Sequence, residues 1–287
     1  MAKTRFPFRL IALLIGLVLF LSACESANNG LNQNNPDEPP EDDMKKDPIV
    51  TTQEKTINVY THLDYSSDDA PIPYRIYVPS DYSEEYAYPV LLFLHGAGER
   101  GNDNELQLKN VLQTLFDDPE SPIYQSIVIV PQCPTDTQWV NTPWAEGSYS
   151  VDDVAESQNL KNVLSVLESI CNEYSVNRDR IYAMGISMGG FGTWDLLMRH
   201  GDIFAAAIPI CGGADPSKAS VLLDMPIATF HGDADKSVPV SGTREIVAAI
   251  RDAGGTNITY EEIAGAGHSI WEYVAAKKEL ICWLFEQ

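Results

Sequence analysis

Ser187 lies in Gly185-Ile186-Ser187-Met188-Gly189, after an apolar run that reads as a strand (Arg180 to Met184) and before a stretch that reads as a helix (about Gly190 to Arg199). So tight a strand-to-helix turn strains the serine backbone, and glycine two positions away on each side removes the resulting clash. The turn sets the hydroxyl at the carboxyl end of a strand and at a helix N-terminus, whose free amides and dipole favour developing negative charge. A serine placed this way can attack a carbonyl. It needs a base to take its proton and an acid to orient that base.

In turns of this type the order along the chain is serine, then acid, then histidine. Of the five histidines, His62 and His95 precede Ser187, and His200 closes the helix after the turn. His231 directly follows an apolar strand and is better explained as part of the loop that carries the acid. His268, in Gly265-Ala266-Gly267-His268-Ser269, follows the last strand and precedes the last helix. Its small neighbours let the imidazole reach over the sheet toward Ser187. For the acid, position alone leaves Asp233 and Asp235 open, with Asp215 a third possibility. Acyl transfer also requires amides aimed at the carbonyl oxygen. The N–H of Met188 is one, and the loop His95-Gly96-Ala97-Gly98 offers the other, Ala97 before Gly98. Trp139 and Trp144 can wall a pocket for an aromatic acyl group or sugar ring, or pack their long segment down. Glu99 and Arg100 read as an ion pair that stiffens the Ala97 loop.

These residues need strand ends to hold them. Thr56 to Tyr60 and Tyr74 to Val78 read as strands around an Asp/Ser-rich turn, an antiparallel start. Pro89 to Leu94, Ile127 to Val130, Arg180 to Met184, Ala205 to Ile210, Pro226 to Phe230 and Ile258 to Ile263 read as further strands. Leu160 to Tyr174 has helical spacing, with Leu160, Val163, Leu164, Leu167 and Ile170 on one face. Thr243 to Asp252 and most of Ile270 to Phe285 also read as helix. The alternation predicts an α/β domain with a mainly parallel sheet, an antiparallel N-terminal start and helices on both faces.

The chain opens with Lys3, Arg5 and Arg9, then an uncharged run from Leu10 to Leu21, short for a span of roughly 20 residues. Leu21-Ser22-Ala23-Cys24 resembles a bacterial lipobox, which implies a signal peptide over residues 1–23 and acylation of Cys24. Such a chain is expected outside the cytoplasm, lipid-anchored to the cell envelope. Residues 24–48, rich in Asn, Asp, Glu and Pro, read as a solvated tether, and residues 49–287 as one catalytic-sized domain. A net charge of -22 argues against nucleic acid as a partner, which would need basic patches. Cys133, Cys171, Cys211 and Cys282 could pair or remain as buried thiols. Neither Cys-x-x-Cys nor His-Glu-x-x-His occurs, so no metal or cofactor is expected.

His231-Gly232-x-x-Asp235 followed by Val238-Pro239 resembles the acid segment of dienelactone-hydrolase-like and prolyl-oligopeptidase-like α/β hydrolases, which implies Asp235 as the acid. Together with His95 to Gly101, Pro131-Gln132-Cys133-Pro134 and the serine turn, it resembles secreted bacterial esterases related to polyhydroxybutyrate depolymerases and feruloyl or acetylxylan esterases. The resemblance runs from about Pro71 to Glu286. It implies the α/β-hydrolase fold and ester hydrolysis by Ser187, His268 and Asp235, on small or polysaccharide-linked esters. Two other readings stand beside it: a serine peptidase with the same three residues, and a silent lipoprotein that uses the fold to bind glycans.

Overall fold

Tyr88–Leu94 is buried at every position, as a strand covered on both faces must be. It is β3 of an eight-stranded sheet in a computed structural model that describes residues 63–65 and 72–287. All of these belong to the compact unit Thr51–Gln287. The other strands are β1 (Leu63–Tyr65), β2 (Ile72–Tyr77), β4 (Ile127–Pro131), β5 (Val176–Ile186), β6 (Ala206–Ile210), β7 (Ile227–Gly232) and β8 (Ile258–Ile263). Across the sheet they run β1-β2-β4-β3-β5-β6-β7-β8. β2 pairs antiparallel with both β1 and β4, and every other pairing is parallel. The strand expected at Thr56 to Tyr60, His62, the leader, Cys24 and the tether lie outside the described residues.

Helices cover both faces: α1 (Val111–Leu115), α2 (Gln158–Glu173), α3 (Met188–His200), α4 (Ser241–Asp252), α5 (Trp271–Ala275) and α6 (Lys278–Phe285). Alternation along β3 divides the core in two. Val90, Leu92 and Leu94 pack with α2, α3 and α4, while Leu91 and Phe93 pack with α1, α5 and α6. Ser157 caps α2 by accepting from Leu160 N–H at 3.1 Å. The α2 stripe falls as expected, except that Leu164 is only half-buried.

The stretch expected to be mostly one helix from Ile270 to Phe285 breaks after Ala275. Lys277 is extended there, and its Nζ pairs with Glu261 Oε2 of β8 at 3.0 Å. The break re-aims α6 so that Leu280, Ile281, Leu284 and Phe285 all bury. No disulfide forms among the described residues: none of Cys133, Cys171, Cys211 and Cys282 is bridged.

Candidate active site

The parallel strands end on one edge, and the chemistry-bearing residues follow those ends. Ser187 links β5 to α3 with φ 55° and ψ -117°, a conformation that strains any residue with a side chain. The glycines beside it are sterically compelled. A Cβ on Gly185 would lie 2.2 Å from Gly189 O, and one on Gly189 would lie 1.9 Å from Leu94 O. Met188 is the first residue of α3, so its N–H has no intrahelical acceptor.

His268 follows β8, and Asp235 follows β7. Ser187 Oγ donates to His268 Nε2 at 2.7 Å, and His268 Nδ1 donates to Asp235 Oδ2 at 2.6 Å. The Asp235 side chain is fully buried, and that of His268 is one-fifth exposed. Burial alone would raise the Asp235 carboxyl. The Val238 N–H, His268 and the Ser237 N–H outweigh it and hold the carboxyl below its ordinary range. The two loops are stitched by backbone: Ala234 N–H donates to Ala266 O at 2.9 Å. Gly232 permits that approach, since a Cβ there would meet Gly267 O at 2.3 Å.

The other aspartates point elsewhere. Asp233 accepts from Gly265 N–H at 2.6 Å. Asp215 accepts from Ser217 N–H at 2.9 Å and Val151 N–H at 2.8 Å. His200 bonds Glu156 at 2.7 Å.

The loop after β3 stands against the serine. A Cβ on Gly96 would lie 3.6 Å from Ser187 Cβ. His95 is buried and sets this loop. Its Nε2 accepts from Cys133 N–H at 2.9 Å, so the hydrogen is on Nδ1, which donates to Gly96 O at 2.6 Å. A trans peptide points its N–H opposite its C=O. Fixing Gly96 O therefore fixes the direction of Ala97 N–H. Sequence reasoning passed over His95 because it precedes Ser187. Its adjacency to Gly96-Ala97-Gly98 was the usable signal.

Glu99 and Arg100 do not form the expected ion pair. Asn110 Nδ2 donates to Glu99 Oε1 at 2.7 Å, while Arg100 Nε donates to Ala97 O at 2.9 Å and Nη1 to Thr137 O at 3.1 Å. Each secures a different part of the loop, because consecutive residues around this turn face different neighbours.

The tryptophans separate. Trp139 is fully buried, donates from Nε1 to His95 O at 3.0 Å and meets the His95 ring edge-on. It presents no face to a ligand, which corrects its reading as a pocket wall. Core packing against Gly192 has claimed the indole. Trp139→Ala should cost about 3–5 kcal/mol in urea unfolding; a loss below 1 kcal/mol would contradict this packing role. Trp144 is half-buried with the Arg100 guanidinium 5.9 Å over its ring. Trp271, absent from the sequence reading, is half-buried and 5.3 Å edge-on from the His268 ring.

The loop bearing Trp144 is clamped by backbone. Gly147 has φ 77°, and a Cβ on Gly213 would lie 1.5 Å from Gly147 O. One on Gly242 would lie 2.7 Å from the same oxygen.

Burial pushes His95 down from 6.5 to about 4. Its folded pKa is depressed, so its contribution to stability is full above 6.5 and is lost as pH falls toward 4. The loss amounts to roughly 3 kcal/mol over that window. His231, also lowered chiefly by burial, acts in the same direction. Urea midpoints should fall between pH 7 and 4.5, with a shallower fall in His95→Asn. Equal slopes would remove His95 from this account.

Residues 67–272 match the Esterase family, described as "Putative esterase". Among curated proteins, the bifunctional acetylxylan esterase/xylanase XynS20E of Neocallimastix patriciarum is 26% identical over 177 residues, 62% of this chain. The match spans only 22% of that relative's length. A solved thermostable esterase superposes with TM-score 0.69 at 34% identity, over 79% of this chain and 63% of that one. A ferulic acid esterase does so with TM-score 0.58 at 19% identity, over 78% and 96%. The fold is the α/β-hydrolase fold.

Proposed function

The chain belongs to the Esterase family of ester hydrolases, and we propose that it cleaves carboxylic esters through an acyl-enzyme on Ser187. One observation carries this reading: the continuous bond chain from Ser187 Oγ through His268 to Asp235. His268 Nε2 takes the Ser187 proton as Oγ bonds to the ester carbon. The Ala97 and Met188 amides receive the oxyanion. When it collapses, the C–O bond to the alcohol breaks and His268 returns the proton to the alcohol oxygen. Water then repeats the sequence and frees the acid. Asp235 holds the imidazole tautomer and balances its charge.

Acetyl and feruloyl esters of plant polysaccharides are the proposed substrates. The relatives' names support this, as does Trp144, whose half-open ring can stack on a sugar or an aromatic acid. A panel of acetyl, butyryl and feruloyl esters, free and xylan-linked, beside aminoacyl amides tests it. Acetyl or feruloyl esters should turn over fastest. Preference for the amides would make the domain a peptidase. Failure of Ser187 to react with a fluorophosphonate would leave a glycan-binding protein.

We also propose that Cys24 is acylated and holds the domain at the cell envelope. Labelling with radioactive palmitate, lost in Cys24→Ala, tests this; unchanged labelling would refute it.

A further inference from the structure

Behind the acid, acceptor atoms outnumber hydrogens. Asp235 Oδ1 takes the Ser237 and Val238 N–H groups at 2.8 and 3.0 Å, and Oδ2 takes His268 Nδ1–H. His231 Nε2 stands 3.1 Å from that same Oδ2 and 3.1 Å from Val238 O. The other ring nitrogen, Nδ1, is 2.7 Å from Thr243 Oγ1, and the Thr243 hydroxyl donates to Gly212 O at 2.8 Å. One hydroxyl hydrogen cannot serve both Gly212 O and His231. With it on Gly212 O, Thr243 Oγ1 is free to accept a hydrogen carried on His231 Nδ1. A hydrogen on Nε2 points at Asp235 Oδ2 and Val238 O, and moving it to Nδ1 frees Nε2 to bind a cation.

Cys211 completes the group. It directly follows β6 at φ 48°, fully buried, and its thiol donates to His268 O at 3.3 Å. Its Sγ, a nitrogen of His231 and a carboxylate oxygen of Asp235 lie within 4.8 Å of one another. A soft nucleophilic sulfur, an imidazole and a carboxylate are the ligand types that zinc takes.

We propose that Cys211 Sγ, His231 Nε2 and Asp235 Oδ2 form an inhibitory site for a soft divalent cation, Zn²⁺ or Cd²⁺. On binding, the thiol loses its proton to solvent. The thiolate and carboxylate then neutralise the two positive charges, as a buried site requires. His231 then carries its hydrogen on Nδ1 and gives it to Thr243, the outer bond that metal-bound imidazoles usually make. Closing to metal distances draws the ligand atoms to roughly 3.5 Å apart. His231 and Asp235 already stand nearer than that. The cation takes up Asp235, so His268 loses the acid that orients it and turnover stops. The inhibition, unlike the binding, rests on the hydrolytic reading above.

Cd²⁺ titration of the full chain, with a non-thiol reductant present, tests both parts. The readouts are thiolate-to-cadmium absorbance in the ultraviolet and p-nitrophenyl acetate turnover. One bound equivalent should raise the absorbance as turnover falls. Cys211→Ala should lose that equivalent and escape inhibition relative to its own basal rate. Thr243→Val should weaken binding by about 10–100-fold. Ser187→Ala should bind as the natural chain does, so the site can be judged even if no ester is turned over. If Cys211→Ala does not fold, His231→Gln serves, keeping the thiol but losing tight binding. Unchanged binding in Cys211→Ala or His231→Gln would overturn the site. Binding without inhibition in an active enzyme would overturn its control of Asp235.

Discussion

Ser187→Ala should lower turnover of p-nitrophenyl acetate by about 10⁶-fold, the scale seen when a serine nucleophile is removed. The substitution deletes the proposed nucleophilic oxygen and leaves the rest standing. Ser187 is held in its strained turn by neighbours, not by its hydroxyl: its N–H donates to Ile210 O at 2.8 Å, and its carbonyl accepts from Phe191 N–H at 3.1 Å. Alanine suffers the same φ of 55°. Its melting temperature should therefore match that of the natural chain. Glycine tolerates this φ, and Ser187→Gly should be equally inactive yet more stable by about 1 kcal/mol. Residual turnover within 100-fold of the natural rate in either variant would remove Ser187 from the chemistry.

Asp235→Asn should reduce kcat by about 10⁴-fold, whereas Asp233→Asn should change it less than threefold. The contrast follows from where each carboxylate is spent. Asp235 receives His268 Nδ1–H in a fully buried position. An amide there can present its own N–H₂ to the ring and impose the wrong tautomer. Asp233 is exposed and bonds the Gly265 N–H, which an Asn oxygen can still accept. Steady-state kinetics on the two variants decide the matter. A larger loss at Asp233 would transfer the role of acid to that residue.

Much of this was legible in the sequence because the signals were local and stereochemical. The glycines around Ser187 advertise a turn that backbone contacts require, and β3 advertises its two-sided burial in an unbroken apolar run. The order of serine, aspartate and histidine carried His268 and Asp235, which the folded chain brings to bonding distance. What escaped depends on contacts between distant segments. His95 acts through Cys133 of another strand end, and Trp271 at the start of α5 is placed beside His268 by the way the segment between them folds. Trp139 carried an ambiguous signal, since an indole suits a binding wall and a core equally well. The five residues of α1 are too few to show a period.

The clamp of Gly147, Gly213 and Gly242 bears on how such domains can be recombined. If Trp144 stacks on substrate as proposed, its segment is the part to exchange when a different ester is wanted. Yet its seat is built from two glycines contributed by other stretches of chain, each tolerating nothing larger against Gly147. A graft of residues 139–150 alone inherits no guarantee of that seat. The natural module for exchange is discontinuous: one loop together with the two remote positions that make room for it.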